Sequence, residues 1–534
     1  MTSRKKKWFS SGSAIWGTSR SGDSLTHPRS MQARSSVLVT VDCLRADRLG
    51  FRGYSRPLAP FLDALAQQSI VFSSAVAAGA PTYFSFPAIM ASRYPLSLGR
   101  EVVGVAPGEP TIATVLQESG YETGAFLAGN PYLTARLGYA QGFGQFSDFL
   151  HLADARAGSV KFSASPGFSR FNRALERLSN RTKLTAAAYN ELYFRYCQWR
   201  SGRERLSMDQ LRRYPAANVV VDAACDWLKE RSGRPFFLWI HLMDPHHPYY
   251  PPPEAMESLG MSHITPKYAR FLNSVWNRGD LSPRRLQRYR KEVMALYDAG
   301  VHWVDRQLAR LVEFLKAHNQ WDDTVFLVTA DHGEEFLEHG NRYHSPVGLA
   351  EQLIRVPILI HAPGSSAARV TDTFSLIHLA PTLLEGLGVE IPHSFRGRAL
   401  WNDLSTGKLP GSPAIVECVE SCNNQFSAAD RCGNRLMVVL DGDHKLVLRF
   451  REQSDSLYDL ARDPEERRPL PDTVETKNRA RLLECARDYL RYEREHRDQA
   501  LALRARLREL RHHVVLKSAP VEADKTTIET AEHG

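Results

Sequence analysis

Short apolar runs that stop abruptly at a polar residue recur along this chain, and each predicts a strand buried on both faces. Ser36-Val-Leu-Val-Thr-Val runs into Asp42, and Thr324 to Val328 leads to Asp331-His332. Tyr121 to Ala128, Pro235 to Met243 and Val356 to His361 have the same form. Continuous rather than alternating apolar runs mark strands of a parallel sheet covered by helices. Helical patterns lie between them, among them Leu58 to Phe72 and Thr111 to Ser119. The alternation predicts an α/β domain over residues 36–405, with a doubly wound, mostly parallel sheet.

Two regions depart from this pattern. Residues about 150–215 read as a helical insertion in which Phe168, Phe171, Tyr189, Tyr193, Phe194, Tyr196 and Trp199 alternate with arginines. Amphipathic helices packed by their aromatic side fit this composition, and so does a basic lid over an anionic substrate or a membrane-surface contact. Further on, Leu436 to Leu440 and Lys445 to Phe450, separated by Asp-Gly-Asp-His, read as a β-hairpin. A smaller region is therefore expected from near residue 413. A charged helix follows over 476–534, with Leu503, Leu507 and Leu510 as a docking or oligomer stripe and a disordered last dozen residues. Residues 1–35 read as a basic, disordered tail.

Composition narrows the function classes. With 534 residues, 43% hydrophobic and 24% charged, the chain is globular with a large core. No run of 18 apolar residues predicts a transmembrane helix, and the basic N-terminus lacks the apolar centre of a signal peptide. The expected location is cytoplasmic, with peripheral membrane contact left open. Seven cysteines, an odd number, suit a reducing compartment, and Cys418, Cys422 and Cys432 match no strong zinc spacing. A net charge of +9 favours anionic partners. No nucleic-acid-binding motif accompanies it, so an anionic small molecule, glycan or lipid head group is the expected partner. Oligomeric state is not legible.

The candidate chemistry sits at the strand ends. Asp331 and His332 are two metal-ligand types side by side; on a regular strand they would diverge, but Gly333 predicts a sharp turn that lets both reach one site. Ligands of open α/β sheets gather beyond the carboxyl ends of strands, where Asp42 also falls. His339 and His344 follow in the same loop. Pro81 to Ser92 reads as a loop entering a helix, with Ser85 as the expected N-cap and Pro87 in the first turn. Thr82 would then lie near free N–H groups and a helix dipole that attract an oxyanion. A coordinated divalent cation would lower its hydroxyl pKa and make it nucleophilic. Without the cation, Thr82 and Ser85 read as ordinary loop residues.

Taken in order, Val41-Asp-Cys-Leu-Arg-Ala-Asp-Arg-Leu-Gly50, the Thr82-x-x-Ser85 segment, Asn130-Pro-Tyr-Leu133, Asp244-Pro-His-His-Pro-Tyr249, Asp331-His-Gly-Glu-Glu335, Arg355-Val-Pro357, Ala380-Pro-Thr-Leu-Leu384 and Leu457-Tyr-Asp-Leu460 resemble the sulfatase family of the alkaline phosphatase superfamily. The resemblance implies an ester hydrolase built on a doubly wound α/β domain with a smaller C-terminal α+β subdomain over residues 406–475, and one divalent metal beside a covalent nucleophile. By position, Asp42, Asp331, His332 and the Thr82 oxygen would bind the metal. Zinc or manganese suits that mixed donor set best, with calcium and magnesium as further candidates. His246 would protonate or orient the leaving group, and His344 and His339 would hold substrate oxygens. Two departures matter. The family's Cys/Ser-x-Pro-x-Arg motif, the source of its formylglycine nucleophile, is Thr82-Tyr-Phe-Ser-Phe86 here, and Thr cannot yield formylglycine. Where the family pairs two acids at the first strand, Cys43 follows Asp42. Members with Thr at the nucleophile position resemble phosphodiesterases and head-group transferases acting through a phosphothreonine. The implied substrate is an anionic phosphate mono- or diester, or a related sulfate-like ester; a soluble transferase and a non-catalytic scaffold are the alternatives.

Overall fold

The computed structural model describes residues 34–153, 175, 182–201, 206–231, 233–345, 347–422 and 428–518. The expected N-terminal tail up to residue 33, much of the 150–215 insertion including Phe168 and Phe171, and the last dozen residues lie outside them.

An eight-stranded sheet carries the main domain. Its strands are β1 (Ser35–Val41), β2 (Ile70–Val76), β3 (Glu122–Leu127), β4 (Gln145–Ser147), β5 (Phe236–Leu242), β6 (Thr324–Ala330), β9 (Ile358–His361) and β10 (Ala368–Ser375), with the short hairpin β7 (Glu335–Phe336) and β8 (Arg342–Tyr343) outside the sheet. The spatial order is β10-β2-β9-β6-β1-β5-β3-β4. Central β1 pairs in parallel with both β5 and β6, with Val41 opposite Leu242 and Ala330. These three strands therefore end level, and the residues just past them open onto one place. Every residue of β5 and β6 is buried, as expected for strands covered on both faces. Helices Ala217–Lys229, Arg290–Ala317 and Pro60–Ala66 pack as one group, and Thr82–Ala91, Ile112–Glu118 and Leu379–Gly386 as another. The doubly wound, mostly parallel α/β architecture is the one the apolar runs imply.

One strand departs from the series. β9 runs antiparallel to both of its neighbours, β2 and β6. A parallel return needs a crossover, usually through a helix long enough to span the sheet; between β6 and β9 the chain carries the site loop and one helical turn, Glu351–Ile354, instead.

A second sheet, β11 (Ala414–Val419), β12 (Arg435–Asp441), β13 (His444–Arg449) and β14 (Ser454–Asp459), is antiparallel throughout. The Asp-Gly-Asp-His junction forms the β12–β13 turn. Helix Thr476–Glu495 buries Leu482, Cys485, Ala486 and Tyr489 against this sheet, so the C-terminal region is a smaller α+β unit. The charged helix is two helices rather than one, because the chain breaks at His496 and restarts at Gln499–Ser518. This second helix docks through Leu501, Ala502 and Ala505 against Leu98, Val102 and Ala106. Leu503 and Leu507 face solvent, and the Leu510 side chain lies outside the described ones. Leu503 and Leu507 of the expected stripe are thus off the docking face, where two alanines let the helix approach closely.

Candidate active site

Asp42 follows β1 directly, and Asp331 and His332 follow β6. All three are fully buried, and their ligand atoms lie within 4.8 Å of one another. Helix Thr82–Ala91 brings its first residue to the same point: Thr82 Oγ1 is 3.2 Å from His332 Nε2 and donates to Asp42 Oδ2 at 3.4 Å. His332 Nε2 also lies 3.5 Å from Asp331 Oδ2 and 3.7 Å from Asp42 Oδ1. Its Nδ1–H donates to the Gly333 carbonyl at 2.8 Å, which leaves the Nε2 lone pair facing the centre.

Local structure differs from expectation at two points. The helix begins four residues earlier than expected, with Pro81 as N-cap and Pro87 inside it. Ser85 does not cap; it donates to the Asp331 carbonyl at 2.6 Å and ties the helix to the end of β6. Gly333 makes no left-handed turn. Its role is close approach, since a Cβ there would stand 1.9 Å from the Gln352 carbonyl oxygen, and its N–H donates to Leu353 at 2.8 Å.

Burial and crowding set the electrostatics. Against the cost of burial, the imidazoles of His246, His241 and His332 hold the Asp42 carboxyl low. Burial, and next the Asp42 charge, push the neighbouring Asp331 upward. No Lys or Arg forms an ion pair with either acid among the described residues. Two buried carboxylates, a neutral imidazole aimed between them and a hydroxyl form a donor set that fits a divalent cation.

His246 lies in the turn after β5, 4.8 Å from His344 between ring centroids, and His344 lies 4.9 Å from His332. Burial lowers the His246 pKa to about 3, and its Nδ1–H donates to the His247 carbonyl. His344 Nδ1 sits 3.3 Å from Glu334 Oε1; against burial, Glu334 and Asp42 raise its pKa. The structure thus brings Asp42, Thr82, Asp331, His332, His246 and His344 together. His339 turns away: its Nδ1 lies 3.3 Å from Glu335 and its Nε2 2.9 Å from the Glu465 carbonyl on the C-terminal subdomain.

Three contributors have no role in the sequence reading, although Asn130 opens one of its motifs. Asn130, past the end of β3, donates to Asp42 Oδ2 at 2.9 Å. Its position, a polar residue closing an apolar run, is the same signal as Asp42. His241 is buried inside β5 with Nε2 3.4 Å from Asp42 Oδ2 and Nδ1 2.9 Å from Thr40 Oγ1; a lone histidine in an otherwise apolar strand is the available signal. Arg212, at the end of the basic insertion, pairs with buried Asp244 at 2.8 Å and steadies the turn that carries His246.

The comparisons with known proteins agree with this arrangement. The sulfatase family model matches residues 34–389, about two-thirds of the sequence and nearly all of the larger-sheet domain. The chain belongs to the sulfatase family. Members of this family depend on a divalent metal, and this sulfatase-family hydrolase has a donor set to hold one. An arylsulfatase from Clostridium perfringens is 25% identical over 488 residues, covering 85% of this chain and 92% of its own. The multifunctional alkaline phosphatase superfamily protein PehA from Trinickia caryophylli is 28% identical over 218 residues, covering 36% of this chain and 42% of its own. Among solved structures, the phosphonate monoester hydrolase of Agrobacterium radiobacter superposes with a TM-score of 0.60 at 20% identity, over 88% of this chain and 97% of its own. No helix among the described residues is long and apolar enough to cross a membrane.

Proposed function

We propose that this chain hydrolyses a phosphate or phosphonate ester through a covalent intermediate on Thr82, with one divalent cation held by Asp42, Asp331, His332 and the Thr82 oxygen. The observation that carries this reading is the Thr82 hydroxyl. It opens a helix, 3.2 Å from His332 Nε2 and 3.4 Å from Asp42 Oδ2, at the position where the family motif has a residue convertible to formylglycine.

The cation, when bound, lowers the pKa of the Thr82 hydroxyl and withdraws charge from the ester's non-bridging oxygen. Thr82 Oγ1 attacks phosphorus as the bond to the ester oxygen breaks, and its proton is directed at Asp42. The N-terminal end of this helix, with its dipole, would favour negative charge on the equatorial oxygens. His344 and His246, whose rings stand in succession beside His332, are the groups to hold the substrate oxygens and to protonate or orient the leaving oxygen. Water then cleaves the Oγ–phosphorus bond and regenerates the hydroxyl. Asn130 and His241 keep Asp42 oriented throughout. Zinc or manganese suits the mixed carboxylate, imidazole and hydroxyl set. A second reading, sulfate-ester hydrolysis with the same nucleophile, is favoured by the arylsulfatase that aligns over 85% of this chain.

A panel of p-nitrophenyl esters (phosphate, phosphodiester, phosphonate monoester and sulfate), run on metal-stripped protein restored with zinc, manganese or calcium, tests the proposal. The expected result is metal-dependent turnover of a phosphorus ester that falls about 10³-fold or more in Thr82→Ala. Sulfate as the preferred substrate would select the second reading. Turnover unaffected by Thr82→Ala would remove both.

A further inference from the structure

A cavity of about 450 Å³ shares no lining residue with the catalytic centre. It lies where the chain leaving helix Thr82–Ala91 meets the start of β12 and the break between the last two helices. Arg100, Arg431, Arg435 and Arg497 line it, and Glu101 is the acid among the described lining residues.

The charges around this cavity do not balance. Arg497 Nη2 lies 3.4 Å from Glu101 Oε1, and Arg506 pairs with the same carboxylate. Arg431 reaches Glu509 at 3.4 Å, and Arg435 pairs with the fully buried Glu417. Arg100 pairs with no carboxylate among the described residues; its Nη1 donates to the Gly433 carbonyl at 2.8 Å. Five guanidiniums thus share three carboxylates. The Arg431 and Arg435 side chains are mostly buried, and the Nε–H of each is shut off from solvent with no hydrogen-bond partner among the described residues. Like charges gathered in a partly shielded cavity repel one another until an anion joins them, and a buried N–H without an acceptor adds to that cost. Gly99 keeps the space open: its φ is 110°, and a Cβ there would run into the Arg497 guanidinium.

We propose that this cavity binds a phosphate or sulfate group, carried on a free small molecule or on a lipid head group. The planar fork of a guanidinium matches such an oxyanion, and forks arriving from separate chain segments engage several of its oxygens at once. The volume is that of a small-molecule site rather than of a bare ion. The site goes beyond the hydrolase reading and depends neither on the cation nor on Thr82.

Cys432 lines the cavity and is the exposed cysteine among the described residues, so its labelling reports occupancy directly. The full chain is alkylated with iodoacetamide at fixed ionic strength in chloride, in inorganic phosphate, in sulfate, and with vesicles containing phosphatidic acid. Modification of the Cys432 peptide is timed by mass spectrometry. An oxyanion at ten times its dissociation constant is expected to slow this labelling about tenfold, with labelling of Cys225 unchanged. Arg100→Ala and, independently, Arg431→Ala should lose most of the protection; thermal melts establish that each variant is folded. Asp331→Asn should keep it, which separates this cavity from the catalytic centre. Protection by the soluble ions assigns a free ligand, and protection by the vesicles alone assigns a lipid head group. Equal rates in chloride and with every probe, protection that survives in both arginine variants, or protection lost in Asp331→Asn would overturn the site and leave the hydrolase reading standing.

Discussion

At the scale of single residues, the centre is organised by what a buried charge requires. Asp42 and Asp331 are fully buried with no Lys or Arg partner among the described residues, and the two cannot both ionise cheaply at close range. Asp42 keeps the charge and Asp331 is pushed upward, so Asp331 holds a proton over a wider pH range than an ordinary carboxylate. A cation entering the site must displace that proton. Metal affinity is therefore expected to rise with pH, by up to about tenfold per unit while one proton is displaced, and to level off above the raised Asp331 value. Competition with a chromophoric chelator across the acid-to-neutral range checks the sign; a flat profile would contradict it. Asp42, Asp331 and His332 were legible in the sequence because each ends an apolar run. His241 was not, because a histidine inside a strand carries no mark of which neighbour it meets: only the β1–β5 register, with Thr40 opposite His241, brings it to Asp42.

At the scale of elements, the site depends on chain segments meeting at very close range. Gly333 is the tightest of these approaches, with the Gln352 carbonyl where a Cβ would sit. Gly333→Ala should push apart the end of β6 and the Leu349–Ile354 segment, at a cost of about 1–3 kcal/mol, and weaken metal binding because Asp331 and His332 move with it. Denaturant unfolding with and without metal measures both effects. Composition indicated that a glycine mattered here but assigned it a turn, since a turn and a close approach leave the same letter. The reversed direction of β9 and the solvent-facing Leu503 and Leu507 have a related cause. Apolar patterning marks an element and its buried side, but strand direction comes from the length of the connection, and a helix can dock through small residues when the partner surface demands it.

At the scale of the whole molecule, the C-terminal sheet is tied to the loop that follows the Asp331–His344 segment. Lys445 in β13 is fully buried and bonds the Leu349 carbonyl at 2.8 Å, Glu351 at 3.2 Å and Glu466. Removing one partner of a buried pair strands the other charge at about 3–5 kcal/mol, so Lys445→Ala should loosen the seam between the two sheets. Arg481→Ala, which removes a half-exposed pair with Asp441, should cost about 1 kcal/mol or less. Urea denaturation of the two variants compares them, and equal effects would argue against the seam. His339 crosses the same seam to the Glu465 carbonyl. The doubly wound sheet and the smaller α+β unit could be read from runs and turns, but this long-range tie could not: a lysine in a hairpin looks like a solvated residue until its partners are known.

The central claim is that Thr82 becomes covalently modified during turnover. Rapid acid quench with a slow phosphorus ester, followed by mass spectrometry of the peptide containing Thr82, tests it most directly. The account predicts a phosphorylated Thr82 that accumulates and decays within one turnover, requires divalent metal and is absent in Thr82→Ala. Steady turnover with Thr82 unmodified at every quench time, or modification on another residue, would contradict it.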